Sequence, residues 1–573
     1  MGPLRWYALA VLAMMVANAL LGALGVGVVL PVFEFLGRGA QPPAGSVRYF
    51  APLLDVFPRR HHTVVVCLAV VLLFAFKNAV HLLSVWLSAR FTFRLRESWS
   101  ERLSRRYLFE RYARFIQDKQ GVVINNLVRE PAEAANALGY LLESLSAAIL
   151  AAAIFALACL VSWRFVLGFS VLCGLLFLLL RRVTYEYSVR MGVKRLRLYR
   201  KLSAHVAETV AAMKEIKLLC SEELRQRDML GILGRIGHLK ARLAVVNAAP
   251  QAVGELTVIC LFMAAVFVAI TRLEVSFQEM LPQLAFFFVA FTKLFLTVSN
   301  LFAMRMRALN VWPSLELVQR LVRETPEPED QEQGLPITAL ETGIVWRDVG
   351  FAFEPGRPVL SGLNLTIARG KVNFIVGPSG AGKSTIVDLL VRLYAPDHGV
   401  ISANGRDIRD FRLRDWRAII GYVGQDAFLF NGTVRENILI GNPRADEDAL
   451  ERAARAAGVE DFVSALPQGC DTPIGDRGLA VSGGQRKRIA IARALVRAPQ
   501  LLILDEATSS FEQQMEEQLF KRLQALYPDM TVIHITHRLS GAARAEQVVV
   551  IEEGKVAAAG RWEDVMGRKV AAR

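Results

Sequence analysis

The apolar residues of this chain lie mostly in long runs before about residue 305, whereas the remainder has the mixed pattern of a globular domain. A helix that crosses a membrane needs about 20 predominantly apolar residues. The pattern therefore predicts six membrane-spanning helices, of which the third and fourth are separated only by Ser162 to Arg164 and should form a tight outer hairpin. The predicted spans are residues 7–33, 63–88, 138–161, 164–180, 248–270 and 281–303.

Two long segments between the spans, Arg90 to Ala137 and Arg181 to Val245, are rich in Lys and Arg. Basic loops remain on the cytoplasmic side of a membrane, so both termini are expected in the cytoplasm, with the chain in the inner (plasma) membrane. Apolar residues recur in both segments at three- and four-residue spacing, which predicts that the spanning helices continue beyond the membrane. The outer segment Val47 to Phe57 fits a short amphipathic helix or an ordinary loop equally well.

Charge and composition narrow the class of protein. The net charge is +15, which could indicate nucleic-acid binding or membrane topology. The basic residues flank apolar runs rather than lining one polar face, so the topological interpretation is preferred and no nucleic acid is expected as a partner. The Pro- and acid-rich stretch Glu324 to Gln333 is typical of a linker. The predicted organisation is a transmembrane domain over 1–320, a linker over 321–340 and a nucleotide-binding domain over 341–573.

The strongest motif is GPSGAGKST, which follows the apolar strand candidate Val372 to Val376 and precedes an apolar helix candidate. It matches the phosphate-binding loop, in which backbone N–H groups and a helix N-terminus surround the phosphates of ATP. Lys383 should reach the terminal phosphates, and the Ser384 hydroxyl should ligate Mg²⁺. The residues expected to bind ATP here are Gly377, Ser379, Gly380, Ala381, Gly382, Lys383, Ser384 and Thr385.

A second motif, LLILDE, places two acids after a buried strand candidate beginning at Leu501. Unpaired carboxylates on such a strand are costly unless they have a role. Asp505 is expected to hold the Mg²⁺ shell and Glu506 to take a proton from the attacking water. The two motifs together predict ATP hydrolysis.

A third motif, VSGGQ, followed by RKRIAIARAL, resembles the signature loop of the ATP-binding cassette (ABC) transporters, with Val481 where that family has Leu. The resemblance implies that this loop serves the ATP bound by a partner subunit. The residues concerned are Ser482, Gly483, Gly484 and Gln485. Since the chain carries one set of motifs, the resemblance implies a dimer. Intact motifs favour a homodimer, although a heterodimer is possible.

Other positions resemble family residues one by one. Gln425 resembles the glutamine that senses Mg²⁺, and His537 resembles the switch histidine near the γ-phosphate. Phe353 stands where a Tyr usually stacks on adenine, and a phenyl ring keeps that ability. Asp476 resembles the acidic residue of the exporter X-loop. These resemblances imply catalytic roles for Gln425, His537 and Glu506, with Mg²⁺ held by Ser384, Gln425 and Asp505.

One departure concerns the loop after Glu506. The family reads SALD there, whereas this chain has Ser509, Ser510, Phe511 and Glu512. Because that loop lies at the dimer interface in the family, altered communication between the two ATP sites is expected. Hydrolysis itself is still predicted, because Glu506 is present.

The whole chain resembles a half-size exporter of the type IV fold: a helical transmembrane domain with long helical extensions, then an α/β ATPase domain. Lys77, His81 and Lys293 lie inside predicted spans, where ionisable residues mark a substrate path. This placement resembles lipid-linked oligosaccharide flippases, whose basic residues are implicated in holding a polyprenyl diphosphate. A further basic position of that group is absent, since Gln251 follows Pro250. Alternatively, the lysines pair with Glu255 or line a water-filled cleft without contacting substrate.

The sequence thus predicts an ATP-driven exporter or flippase that moves an amphipathic, anionic, lipid-linked substrate outward by alternating access. Two alternatives remain open. One is an exporter of a peptide, a siderophore or a hydrophobic drug-like compound, and the other is a non-transporting regulator or channel of the same fold. The Arg- and Ala-rich composition suggests a bacterial source.

Overall fold

A computed structural model describes most of the 573-residue chain. The described residues are 2–32, 62–272, 277–324, 332–475, 478, 480–537 and 545–565. Within them the backbone alone is described at 2–5, 62–63, 164–165, 168–189, 247, 250, 254, 258, 261, 265, 268–272 and 277–282. The predicted outer segment Val47 to Phe57 and Asp476 lie outside the described residues.

The chain divides into two compact units, Met1–Phe109 with Ile116–Pro326, and Glu110–Phe115 with Glu327–Arg573. The first unit is helical. Its helices are α1 (Gly2–Gly27), α2 (His62–Phe109), α4 (Gln120–Val128), α5 (Glu130–Ala211), α6 (Met213–Leu218), α7 (Glu222–Arg272) and α8 (Phe277–Arg323). The short helix α3 (Tyr112–Phe115) belongs to the second unit.

Five helices in the described part of the chain are long and apolar enough to cross a membrane. They are Trp6–Val32, Val64–Phe109, Gln120–Trp163, Glu222–Ala264 and Gln283–Arg323, and they overlap five of the six predicted spans. The predicted fourth span, 164–180, falls within α5, where most of its side chains are outside the description. The helix is interrupted at Ser162 (φ −160°, ψ 98°), which is where the sequence predicts a hairpin.

The helices extend well beyond their apolar segments, as expected. The apolar part of α2 ends near residue 88, yet the helix continues to Phe109. The core of the membrane part lies between α1, α5 and α8, where Ala23, Ile154 and Phe286 are buried together. Large apolar side chains elsewhere on these helices are exposed, which suits contact with lipid rather than water.

Glycine permits one close helix contact in the extended region. A Cβ atom at Gly192 of α5 would lie 2.6 Å from the backbone oxygen of Asn310 on α8. No side chain fits there, so the two helices approach almost backbone to backbone. This contact fixes the spacing of α5 and α8 outside the apolar segments.

The second unit contains two sheets. An antiparallel sheet has the order β2-β1-β4-β5, with β1 (Ile344–Glu354), β2 (Arg357–Ile367), β4 (His398–Ala403) and β5 (Arg406–Asp407). A six-stranded sheet has the order β10-β9-β3-β8-β7-β6. Its strands are β3 (Val372–Val376), β6 (Ile420–Val423), β7 (Leu501–Asp505), β8 (Thr531–Ile535), β9 (Gln547–Glu552) and β10 (Lys555–Gly560).

All pairs in the six-stranded sheet are parallel except β10 with β9. Besides α3, the α-helices described in this unit are α9 (Lys383–Leu390), α10 (Leu413–Ala418), α11 (Val434–Leu439), α12 (Glu447–Ala456), α13 (Glu460–Val463), α14 (Gly483–Leu495) and α15 (Gln513–Leu526). Because β3, β8 and β7 are parallel neighbours, their carboxyl ends open at one edge. That edge is where ligands bind in open α/β sheets.

Candidate active site and substrate cavity

The loop between β3 and α9 has a backbone that requires glycine. Gly382 precedes the first residue of α9 with φ of 95°, in the left-handed region. A Cβ at Gly377 would lie 2.2 Å from the backbone oxygen of Ile551. The loop therefore follows its path only with these residues, and it leads directly into a helix N-terminus. Such a terminus presents unpaired N–H groups to an anion.

Lys383 is buried at this helix start. Its Nζ donates to the backbone oxygens of Gly377, at 2.9 Å, and Pro378, at 2.8 Å. These bonds hold the loop around the ammonium group. The positive charge and the N-terminus of α9 then act on the same small volume, which suits a polyphosphate.

Asp505 lies at the end of β7, across from α9. Burial raises the pKa of its carboxyl group, a hydrogen bond from the Ser384 hydroxyl opposes that rise, and the adjacent Glu506 adds to it. A buried carboxylate beside a hydroxyl is an oxygen pair of the kind that a hard divalent cation prefers. Ser384 and Asp505 thus fit the predicted Mg²⁺ shell. Gln425 is exposed just after β6, and the structure gives no contact that joins it to them.

Glu506 and His537 meet at the carboxyl ends of β7 and β8. His537 Nδ1 lies 3.6 Å from Glu506 Oε1. Glu506 has φ of 51°, an unusual value for a residue other than glycine. Its backbone N–H donates to the oxygen of Ile535, at 3.0 Å. The strained turn lifts the carboxylate off the strand and toward His537.

Lys487 on α14 was missed by the sequence analysis. Its buried Nζ donates to the backbone oxygen of Glu506, at 2.9 Å, and to Ser509 Oγ, at 2.6 Å. It therefore stabilises the turn at Glu506 from the side of α14. No motif signals this role, since the residue lies within a run of basic residues, RKR, whose side chains would ordinarily be solvated.

Asp388 was also missed. It lies one helical turn after Ser384 on α9, and burial together with the charge of Asp505 raises its pKa to about 6. In the sequence it is one polar residue in an apolar helix. Only the fold shows that it faces a second carboxylate.

The VSGGQ segment forms the N-terminus of α14. Ser482 Oγ accepts from the backbone N–H of Gln485, at 3.3 Å, and Gln485 Oε1 accepts from the N–H of Ser482, at 2.8 Å. This reciprocal capping box fixes the loop. Ser482 and Gly483 are exposed, and a Cβ at Gly484 would have open space around it. The remaining N–H groups of the first turn are thus available to a ligand outside the chain.

Phe353 lies on β1 with more than half of its surface exposed. Its ring stands edge-on to Phe351 and to Tyr394, with centroid distances of 4.9 and 5.2 Å. One face is held by these neighbours, so the ring is oriented while remaining accessible. That arrangement suits stacking on a planar base.

The loop after Glu506 differs from the family at Phe511 and Glu512, and the structure accommodates only the first of these differences by packing. Phe511 is buried in the core between α14 and α15, so the larger side chain is accommodated by packing. Glu512 is the N-cap residue of α15, and its side chain makes no capping hydrogen bond. The first-turn N–H groups of α15 therefore receive no hydrogen bond from the side chain of the N-cap residue.

The helical unit contains a cavity of about 900 Å³ between α1, α2, α5 and α8, with one lining residue from α7. His81, Arg96 and Lys293 bring positive or titratable groups to its lining, and Glu143 contributes a carboxylate. Hydroxyl and amide side chains also line it, and the amides are Asn18, Asn136, Gln251 and Asn300. His81 Nδ1 lies 3.3 Å from Asn18 Nδ2, which ties α2 to α1 at one end of the cavity.

The structure separates the two predicted lysines. Lys293 lines the cavity, whereas Lys77 does not; its Nζ lies 5.3 Å from the centroid of the Phe74 ring. The cavity face of α2 runs from Arg96 back to His81, and Lys77 continues that face one turn farther on. Within the described residues, neither lysine forms an ion pair with Glu255.

Two family models match the chain. The model for the ABC transporter transmembrane region matches residues 9–299, and the model for the ABC transporter domain matches residues 360–509. A solved structure, of a bacterial Atm1-family ABC exporter with ATP bound, has a TM-score of 0.80 and 26% sequence identity. The match covers 99% of this chain and 96% of that one. The transmembrane-region model thus spans half of this chain, and the match to the exporter structure spans nearly all of it.

Curated relatives agree with the models. The heterocyst differentiation ATP-binding protein HepA of Nostoc is 30% identical over 85% of this chain and 81% of its own length. An ATP-dependent lipid A-core flippase of Cupriavidus pinatubonensis is 32% identical over 71% of this chain and 69% of its own. An uncharacterised ABC transporter ATP-binding protein of Sinorhizobium fredii is 34% identical, and the chain spans 60% of its length. The chain belongs to the ABC transporter family, as an ATP-hydrolysing, multi-pass membrane protein with the fold of a half-size exporter.

Proposed function

We propose that this protein is a homodimeric ATP-driven flippase or exporter in a bacterial inner membrane. It moves an amphipathic, anionic, lipid-linked substrate, such as a polyprenyl-diphosphate oligosaccharide, from the cytoplasmic side outward by alternating access. The observation that carries the substrate class is the cavity, because His81, Arg96 and Lys293 concentrate there. The lipid A-core flippase among the relatives supports a lipid-linked cargo.

In the proposed ATPase cycle, the loop Gly377 to Thr385 binds the phosphates, Lys383 neutralises their charge and Phe353 stacks on the base. Glu506 accepts a proton from the attacking water, and His537, which lies 3.6 Å from it, orients the carboxylate. Ser384, Asp505 and Gln425 are proposed to hold Mg²⁺, which when bound stabilises charge on the phosphate oxygens. The strained turn at Glu506 places the carboxylate before substrate arrives.

The placement of the signature loop supports the proposed dimer. Its exposed helix N-terminus is available to an anion, and the capping box already satisfies part of its own N–H groups. We propose that Ser482, Gly483, Gly484 and Gln485 contact ATP bound by the partner subunit. Each ATP would then draw the two nucleotide-binding domains together, and its hydrolysis would release them.

A second candidate cargo is a peptide-like or other zwitterionic compound. Glu143 lines the same cavity as the basic groups, and a carboxylate there could accept hydrogen bonds from an ammonium group. A cargo that carries both charges would use Glu143 and Lys293 together.

The decisive experiment combines Glu506→Gln with mass spectrometry of co-purifying lipids. The variant should bind ATP with little turnover, and a polyprenyl-diphosphate sugar should co-purify with it. ATP turnover equal to that of the unmodified protein would contradict the role of Glu506. A co-purifying peptide without any such lipid would support the second candidate instead.

The cavity is tested by Lys293→Ala with His81→Ala, assayed for transport of a fluorescent diphosphate lipid in proteoliposomes. We expect transport to fall at least tenfold while basal ATPase activity stays within about twofold. Lys77→Ala is the matched control, because Lys77 lies outside the lining and should have the smaller effect. Normal transport by the double variant would reject the anionic-cavity proposal.

A further inference from the structure

Behind Glu506 lies a buried polar cluster that has no place in the cycle described above. His534 on β8 is fully buried, Thr508 follows Glu506 by two residues and is nearly as buried, and Glu516 on α15 is buried beside them. His534 Nε2 lies 3.0 Å from Thr508 Oγ1, and Thr508 Oγ1 lies 2.8 Å from Glu516 Oε1. Such groups are costly inside a core unless they are paired.

The hydrogen-bond directions in this cluster follow from the number of hydrogens. Thr508 has one hydroxyl hydrogen, which it donates to the Glu516 carboxylate. Its oxygen must therefore accept from His534, so the imidazole carries its hydrogen on Nε2. Within the described residues, His534 Nδ1 is buried without a hydrogen-bond partner, and in this tautomer it has no hydrogen to donate. Burial also lowers the pKa of His534 to about 3, which keeps the ring neutral.

The cluster joins three elements around the reacting groups. His534 lies on the strand that ends before His537, Thr508 lies in the turn that begins at Glu506, and Glu516 lies on α15. The turn is also closed by a backbone hydrogen bond, in which the N–H of Phe511 donates to the carbonyl oxygen of Thr508 at 2.9 Å. The rings of Phe374 and Phe520 pack on His534, with centroid distances of 4.7 and 5.4 Å, and restrict the imidazole.

We propose that His534, Thr508 and Glu516 form a positioning relay, which holds the Glu506 turn in register with the strand that carries His537. The bond chain runs from His534 Nε2–H to Thr508 Oγ1–H to the Glu516 carboxylate. It acts through the Thr508 hydroxyl, whereas Lys487 acts through the backbone oxygen of Glu506. The proposal rests on the proposed role of Glu506 as the base.

The test is His534→Ile in the full-length protein in nanodiscs, with ATP hydrolysis followed by phosphate release. Ile suits a buried strand, and it removes the unpaired Nδ1 together with the Nε2–H that Thr508 accepts, so the chain should fold with a Tm within a few degrees of the unmodified protein. We expect kcat to fall about tenfold with KM for ATP and ATP binding unchanged, because only the position of the base is disturbed. His534→Gln, which keeps a donor at similar reach, should recover most of the lost kcat.

Phe520→Leu is the matched control for packing, since it contacts His534 without a hydrogen bond. It should lower the Tm and leave kcat within about twofold. The relay is rejected if His534→Ile keeps the kcat of the unmodified protein, or if the Gln variant is as impaired as the Ile variant. Failure of the base assignment would appear separately, as normal turnover by Glu506→Gln.

Discussion

At the scale of single residues, the Glu506 turn depends on groups that no motif includes. Its left-handed backbone is unfavourable for a residue with a side chain and must be stabilised by neighbours. Lys487 does so with two hydrogen bonds, at 2.9 and 2.6 Å. The turn is thus held from α14 on one side and by the relay on the other.

Removal of the Lys487 charge should therefore lower both the stability of the fold and the rate of ATP hydrolysis. Lys487→Met keeps the aliphatic part of the side chain but leaves the Glu506 oxygen without its charged donor. We expect about 2 kcal/mol lower stability, measured as a lower Tm, and a clear fall in kcat. Lys521→Met, on the exposed face of α15, is the control for charge. An equal kcat in Lys487→Met and Lys521→Met would contradict this role.

Asp388 predicts a dependence of stability on pH. The folded chain raises its pKa from the ordinary value of 3.8 to about 6, so the fold favours the protonated acid. Its contribution to stability is complete below the ordinary pKa and is lost as pH rises through 6. Asp388→Asn should therefore gain Tm over the unmodified protein between pH 5 and 8.

The expected gain reaches about 1 kcal/mol, since partial contact with water reduces the effect. The measurement is thermal unfolding of both proteins without nucleotide, repeated at a series of pH values between 5 and 8. Glu451→Gln, at an exposed acid of α12, controls for the loss of one negative charge. A Tm difference that does not change with pH would refute the interpretation of Asp388.

At the scale of elements, the starts of α14 and α15 differ. α14 has a complete capping box through Ser482 and Gln485, whereas α15 begins at Glu512 with no capping side chain. Asp is among the best N-cap residues, and Glu is too long to reach the same N–H groups. The family's Asp at this position thus has a local structural reason.

Glu512→Asp should accordingly stabilise α15 by about 1 kcal/mol, visible as a higher Tm of the full-length protein. Glu512→Ala keeps the cap absent and should show no gain. Equal Tm values for the Asp and Ala variants would contradict the prediction that Asp caps α15 at this position.

The elements also show what a sequence can predict and what it cannot. The apolar runs predicted the spans, and the P-loop, LLILDE and the histidine after β8 were predicted from their motifs. Hydropathy alone ends the second span near residue 88, where charged residues begin, whereas the three- and four-residue spacing of apolar residues predicted that the helix continues, as it does to Phe109. His534 and Lys487 were not predicted, since their roles depend on partners that are distant in sequence.

At the scale of the whole molecule, the proposed dimer makes a specific prediction. Ser379 in the phosphate loop and Ser482 in the signature loop are both exposed. With the six native cysteines replaced, Ser379→Cys with Ser482→Cys in the Glu506→Gln background should form a disulfide between chains when ATP is added. A gel should show a product of twice 63.5 kDa.

The same protein without ATP should give far less of that product, and each single-cysteine variant should give none between these two loops. Only an ATP-dependent approach of one chain's phosphate loop to the other's signature loop satisfies all three results. A product that forms equally with and without ATP would contradict the proposed closure.

The unbroken length of α2 has a mechanical consequence. Its 48 residues form one rod about 70 Å long, and His81 and Arg96 stand on that same rod. A tilt of about 10° around its midpoint would displace each end by about 6 Å, with no intervening loop to absorb the movement. The cavity wall on α2 thus works as part of a lever, whose change of angle repositions every group along it at once.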